Sequence, residues 1–266
     1  MKKNASVSVW LWPVLTGLLF IGLWYSLRAA FEVSEWLLPM PHEIIATMGK
    51  ESTRLLAAVR YTALAALGGF LLAAASGFLI SLLLGRSVAL RRSLYPWLLI
   101  LQMTPVIVLT PIIVIWPVLG SGMRGIIFVT WLISFFPIVV NTTQGLLSTD
   151  MNHVALFRMC NASRWQEMIH LRVPAAMPQF LAGLRIAATL APIGAIFGEY
   201  MVGNSGGGSG GLGFLVYSYN SKIMIPALFA TGLTSCLLGF VFVAAVSLLN
   251  WAVLHKWHDS FEREDH

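Results

Sequence analysis

ALFRMCNASRWQEMIHLRVP, residues Ala155 to Pro174, is the longest non-hydrophobic segment lying between two strongly apolar ones. It combines a helical pattern with three arginines, Arg158, Arg164 and Arg172, and closes on a proline. Ala155, Leu156 and Met159 share a face in its first part, and Trp165, Met168 and Ile169 do so in its second. Asn161 or Ser163 stands where a helix start is capped. Pro174, which has no N–H, is expected to end the segment before the next apolar run. Two readings fit these residues: an interfacial amphipathic helix anchored by Trp165, or an element that docks onto something outside the membrane.

The flanking sequence sets the context. Of 266 residues, 58% are hydrophobic and only 11% charged, with a mean hydropathy of +0.79. A soluble domain carries about 25% charged residues, so an all-α, polytopic membrane protein is expected. A span needs about 20 apolar residues to cross about 30 Å of hydrocarbon. Six stretches qualify: 8–28, 60–85, 94–119, 124–146, 177–202 and 225–254. Segment 155–174 therefore joins the fourth and fifth. The first run follows Lys2 and Lys3 like the start of a signal peptide. No small-residue cleavage site closes it, so it reads as a retained helix. The expected division is an N-terminal span with an external amphipathic connector (1–59), a transmembrane core (60–255) and a cytoplasmic tail (256–266).

The formal charge of +6 follows from basic residues held on the cytoplasmic side, so no nucleic-acid partner is expected. With the N-terminus inside, Lys2, Lys3, Arg86, Arg91, Arg92, Arg158, Arg164, Arg172, Lys256 and Arg263 lie in the cytoplasm. Arg28, Lys50, Arg54, Arg60, Arg124 and Lys222 lie outside. Both termini are then cytoplasmic. Cys160 and Cys236 have no Cys/His spacing around them and read as unpaired thiols, with no metal site indicated.

Within the spans, Ala65, Gly69, Ala73, Gly77, Ser81 and Gly85 recur every fourth position, a face that lets another helix backbone approach closely. Gly183, Ala187, Ala191 and Ala195 repeat the device. Glu199 follows on that face and is expected to reach water and to hydrogen-bond with the next loop, a role in transport being the alternative. The third span holds Gln102, Thr104, Pro105, Thr110, Pro111 and Pro117, so its helix is expected to break near mid-membrane, either as kinked packing or as lining of an aqueous path. Gln102, Thr104, Thr130, Ser134 and Thr189 are the candidates for a translocation path, being polar groups on core spans. Each hydroxyl has the alternative of bonding its own helix carbonyl. The run after LPMP (Leu38–Pro41) reads as a surface helix or a solvated connector. GNSGGGSGGLGF, from Gly203 to Phe214, reads as a flexible external loop. His153 and His170 read as surface residues.

The loop resembles the cytoplasmic loop of ABC importer permeases, whose pattern is E-A-A, three residues, G, nine residues, I-x-L-P. Ala155-Leu156-Phe157, Asn161 and Leu171-Arg172-Val173-Pro174 stand at that spacing. Ala155 replaces the acid and Asn161 the glycine; asparagine is the residue next most tolerant of a left-handed turn. LPMP before the second span, GLRIAATLAPIGAIFGE in the fifth and GLGF after it extend the resemblance over nearly the whole chain. The similarity is to the nitrate, sulfonate, taurine and thiamine-precursor group. IGAIFGE, IPALFA and KWHDS look most like permeases for thiamine pyrimidine precursors, with riboflavin permeases close behind.

The resemblance implies a homodimer in a bacterial inner membrane, two cytoplasmic ATP-hydrolysing subunits and an extracytoplasmic binding protein. It implies a coupling helix between spans four and five that docks on the ATPase through Ala155, Leu156, Phe157, Arg158, Asn161, Arg164, Trp165, Met168, Leu171, Val173 and Pro174. Without the usual acid, such docking rests on shape and on Arg158, Arg164 and Trp165. ATP would be bound by the partner, since the chain carries no Walker sequence and no cofactor is expected. The rival class is an ion-coupled carrier, which calls for inverted repeats and ionisable residues at mid-membrane. A membrane enzyme calls for a catalytic cluster.

Overall fold

The computed structural model describes residues 4–32, 34, 37–116, 122–202 and 210–258. All regular structure among them is helical. The chain runs α1 (Asn4–Ala30), α2 (Pro41–Lys50), α3 (Ser52–Arg86), α4 (Val88–Met103), α5 (Val106–Ile115), α6 (Met123–Leu147), α7 (Met151–Met159), α8 (Arg164–Glu167), a π-turn (Met168–Arg172), α9 (Val173–Val202), α10 (Leu212–Ser221) and α11 (Ile225–His258). Lys2, Lys3, Pro117, Gly203–Ser209 and the tail from 259, with Arg263, lie outside the described residues.

Among the described residues, five helical segments are long and apolar enough to cross a membrane: Leu11–Ala30, Ser52–Arg86, Met123–Leu147, Arg164–Met201 and Ile225–Ala252. The expected sixth, at 94–119, is instead two shorter helices. Pro105 has no N–H to continue α4 and biases the residue before it toward extended backbone. Thr104 accordingly sits at φ −69°, ψ 125°, and α5 starts afresh at Val106.

The fifth span also begins earlier than its hydropathy suggests, because Pro174 does not stop it. The helix passes from α8 through the π-turn into α9, and the Val173 N–H reaches back to the Met168 carbonyl. A wider turn relieves the clash between a proline ring and the carbonyl four residues back.

Helix α6 is the centre of the bundle and packs most extensively on α9 and α3. Its Phe135, Phe136, Ile138 and Val139 form a buried cluster with Phe70 and Ala73 of α3 and Ala187, Ala188 and Ala191 of α9. The small residues explain the close approach. A Cβ on Gly69 would collide with Thr130 and lie 2.9 Å from the Ile127 carbonyl oxygen. One on Gly77 would come within 3.0 Å of Ile138, one on Gly85 within 2.9 Å of Leu146, and one on Gly183 within 3.1 Å of the Pro137 carbonyl. Ser81 donates to the Val139 carbonyl at 3.1 Å, a hydrogen bond from α3 to α6.

Helix α1 stands apart, with nearly every described side chain exposed, as suits a lipid-facing span. Its end is held by the connector: Trp24 donates to the Pro39 carbonyl at 3.3 Å, and Arg28 pairs with Glu43 at 3.7 Å. The connector itself contains α2, started by Pro41 and capped by Glu43, which accepts from the Met40 N–H at 2.8 Å. It packs on α11 and is more than a solvated link.

Candidate functional site

The loop between α6 and α9 is shaped by fixed local geometry at each step. Asp150 caps α7, accepting from the Asn152 N–H at 2.9 Å. The far end of α7 closes on Asn161, whose φ of 52° lies in the left-handed region. The Asn161 N–H reaches the Arg158 carbonyl and the Ala162 N–H reaches the Phe157 carbonyl, both at 3.0 Å, the paired bonds of a Schellman ending. Two residues on, Ser163 and Gln166 bond each other's backbone N–H groups at 3.3 and 2.7 Å, a capping box that starts α8. Helix α7 therefore stops and the chain restarts in a new direction within four residues.

What the loop exposes is apolar as well as basic. Leu156 is 55% and Met159 81% exposed, and Trp165 and Ile169 are open to solvent too. Ala155, Arg158, Asn161 and Arg164 are exposed, while Phe157, Leu171, Val173 and Pro174 are half-buried. Leu156, Phe157, Cys160, Asn161, Gln166 and His170 line a groove of about 510 Å³ between α7 and α8. Two residues of the expected docking segment face inward. Met168 is 4% exposed and packs with Leu146 and Ala176. Arg172 pairs with Glu167 at 2.6 Å and donates to the Leu146 carbonyl at 3.3 Å, fastening the loop to the end of α6. His153 lies 3.7 Å from Asp150 at the surface, and His170 lies against the Gln166 carbonyl at 3.2 Å.

The five path candidates occupy three helices and the break after one of them. Gln102 and Thr189 are exposed and Thr104 is half-exposed, whereas Thr130 and Ser134 are fully buried in α6. Thr104, Thr130 and Thr189 donate to the carbonyls of Ile100, Ile126 and Arg185, the residues four back. The Ser134 hydroxyl is buried without a hydrogen-bond partner.

A second polar site differs from the sequence expectation in its burial and in its contact with α3. Glu199 does not reach water: it is 1% exposed. Its Oε2 accepts from the Thr62 hydroxyl of α3 at 2.9 Å and from the Gly213 N–H of α10 at 2.8 Å. Thr62 Oγ1 in turn accepts from the Leu212 N–H at 2.8 Å. Glu199 and Thr62 thus satisfy one N–H each at the start of α10, those of Gly213 and Leu212, and the contacts tie three helices together. A Cβ at Gly211 would strike the carboxylate and one at Gly213 the Ile196 carbonyl, so the GLGF run is built for contact with α9. Residues 212–214 of the expected loop are helical, Gly210 and Gly211 precede the helix, and 203–209 lie outside the described residues.

Residues 69–255 match the family of binding-protein-dependent transport system inner membrane components. The chain belongs to this family. Among its relatives is the formylaminopyrimidine transport permease protein ThiX of Halalkalibacterium halodurans, 35% identical over 92% of this chain and 95% of that one. The riboflavin transport system permease protein RibX of Chloroflexus aurantiacus is 29% identical over 94% and 92% of the two chains. The putative aliphatic sulfonates transport permease protein SsuC of Bacillus subtilis is 28% identical over 95% and 90%. The chain is therefore an ABC importer permease, a multi-pass membrane protein whose relatives transport rather than catalyse. Membership of a binding-protein-dependent system implies ATPase and binding-protein partners.

Proposed function

We propose that this permease carries a thiamine pyrimidine precursor of the formylaminopyrimidine class across the bacterial inner membrane. The identity of 35% along 92% of the chain to a formylaminopyrimidine permease is the observation that supports it. Riboflavin is the second reading, favoured by the similarity to a riboflavin permease over 94% of the chain. Sulfonate, nitrate and taurine stand behind it.

In this reading two copies of the chain, with both termini cytoplasmic, sit on two ATP-hydrolysing subunits and receive solute from a binding protein. Helix α7 and the groove beside it form the coupling element, with Leu156, Met159 and Trp165 giving the apolar contact and Arg158 and Arg164 the charge. Gln102, Thr104 and Thr189 line the path formed between the copies. Thr130 and Ser134 join it when α3 and α9 part from α6. Closure of the ATPases favours one arrangement of the bundle and the loaded binding protein another, which is what coupling requires.

The test is uptake into vesicles holding the reconstituted complex, comparing ATP with an ion gradient. ATP-driven uptake of labelled formylaminopyrimidine that excess riboflavin does not suppress is the expected result. Suppression by riboflavin moves the solute to the second reading. Uptake driven by a gradient without ATP overturns the importer.

A further inference from the structure

A cavity of about 590 Å³ lies between the α7–α8 turn and the turn from α3 to α4, and shares only Ala162 with the lining of the apolar groove. Arg86, Arg91, Arg158, Arg164 and Arg172 line it, with Glu167 as its one acid. Glu167 is already held by Arg172 at 2.6 Å, which leaves four guanidinium groups unneutralised. Arg86 lies over the Trp165 ring, 4.5 Å from its centroid. The side chains of Arg91, Arg158 and Arg164 have no hydrogen bond or ion pair among the described residues. Four like charges around one recess raise each other's free energy, and an anion placed among them removes that cost.

Position decides which anion. Gly85 and Arg86 end the span of α3, Leu147 ends that of α6, and all three line the cavity. The recess is therefore at the depth where hydrocarbon gives way to headgroups. Its lining is also apolar in part: Val88 and Leu147 belong to it and are 52% and 41% exposed. Leu83, one turn back on α3, is exposed as well. Guanidinium groups grip phosphate oxygens in forked pairs, and basic pockets between membrane helices suit anionic headgroups. We propose that this cavity binds a phosphate ester, the headgroup of an anionic phospholipid with its acyl chains laid along α3. The assignment does not depend on the transported solute.

Arg86 and Arg91 provide the test because neither lines the apolar groove; Arg86 touches the coupling element through Trp165, so Arg91 is also replaced alone. The full chain, purified in neutral detergent, is titrated with phosphatidylglycerol, phosphatidylcholine or inorganic phosphate. Native mass spectrometry reads retained lipid, and thermal melting reads stabilisation. Phosphatidylglycerol is expected to be retained in preference to phosphatidylcholine. Arg86→Gln with Arg91→Gln weakens that retention about 30-fold, roughly fivefold for each guanidinium removed, while Arg124→Gln at the opposite end of α6 does not. If the double variant misfolds, Arg91→Gln alone carries the comparison, since Arg91 stacks on no ring among the described residues. Arginine-dependent stabilisation by inorganic phosphate alone retains the phosphate site and assigns it to the free ion. Equal retention of both lipids, or retention unchanged in the variants, overturns the proposal. So does loss of ATPase co-purification with lipid binding intact, which gives the cavity to the ATPase.

Discussion

Asn161 ends α7 in a left-handed conformation that costs most residues about 1–2 kcal/mol. Asn161→Gly is therefore expected to leave the melting temperature unchanged or higher, and Asn161→Val to destabilise the permease by about 2 kcal/mol, read from thermal unfolding in detergent. Glu199 is the other position where one side chain matters. Glu199→Ala strands the Thr62 hydroxyl and the Gly213 N–H in a buried setting, at about 1–3 kcal/mol for each group. Glu199→Gln keeps an acceptor and is expected to lose less on the same measurement. The two differ in how far the sequence disclosed them. Asn161 was legible because the left-handed turn is a property of the residue and of a helix ending at that point. For Glu199 only the bond to the following segment was legible; its burial was not, because its partner on α3 lies 137 positions away and the buried state depends on that distant contact.

At the scale of helices, the four-residue spacing of small side chains on α3 and α9 was plain in the sequence, but their partner was not. A small face states only that some backbone comes close; that α6 is the backbone follows from the three-dimensional packing. Gly69→Ala is expected to cost about 1–3 kcal/mol, because Thr130 and the Ile127 carbonyl occupy the space a methyl group would take. Gly17→Ala on α1 meets nothing within 4 Å and is expected to be neutral or to stabilise by up to about 1 kcal/mol. Paired melting curves check both. The prolines betrayed the break between α4 and α5, since Pro105 lacks a donor whatever surrounds it. Pro174 misled for the same reason. Its missing N–H suggested a stop, and the π-turn that absorbs it leaves no mark in residue type.

For the whole molecule, the separation between folding and coupling is testable on the loop. Met159→Glu lies on an exposed residue and is expected to leave insertion and melting unchanged while abolishing ATP-driven uptake. Met168→Glu puts a charge among Leu146 and Ala176 and is expected to destabilise the protein by several kcal/mol before uptake can be measured. Equal loss of stability in both would mean that the loop serves the fold alone. Membership of the importer family was readable because the distance from Ala155 to Pro174 is kept even where the residues depart. The solute was not readable, since the polar residues of the described spans are scattered: Gln102 and Thr189 are exposed on separate helices, whereas Thr130 and Ser134 are buried in α6. The continuous helix from Arg164 to Met201 has a further mechanical meaning. Glu199 stands about 50 Å from Arg164 along that axis. A tilt of about 5° around its middle carries each end through roughly 2 Å, comparable with the 2.9 Å bond to Thr62. The two faces of the membrane are joined by one crossbeam, so a push too slight to disturb packing at its centre suffices to unfasten a hydrogen bond at its tip.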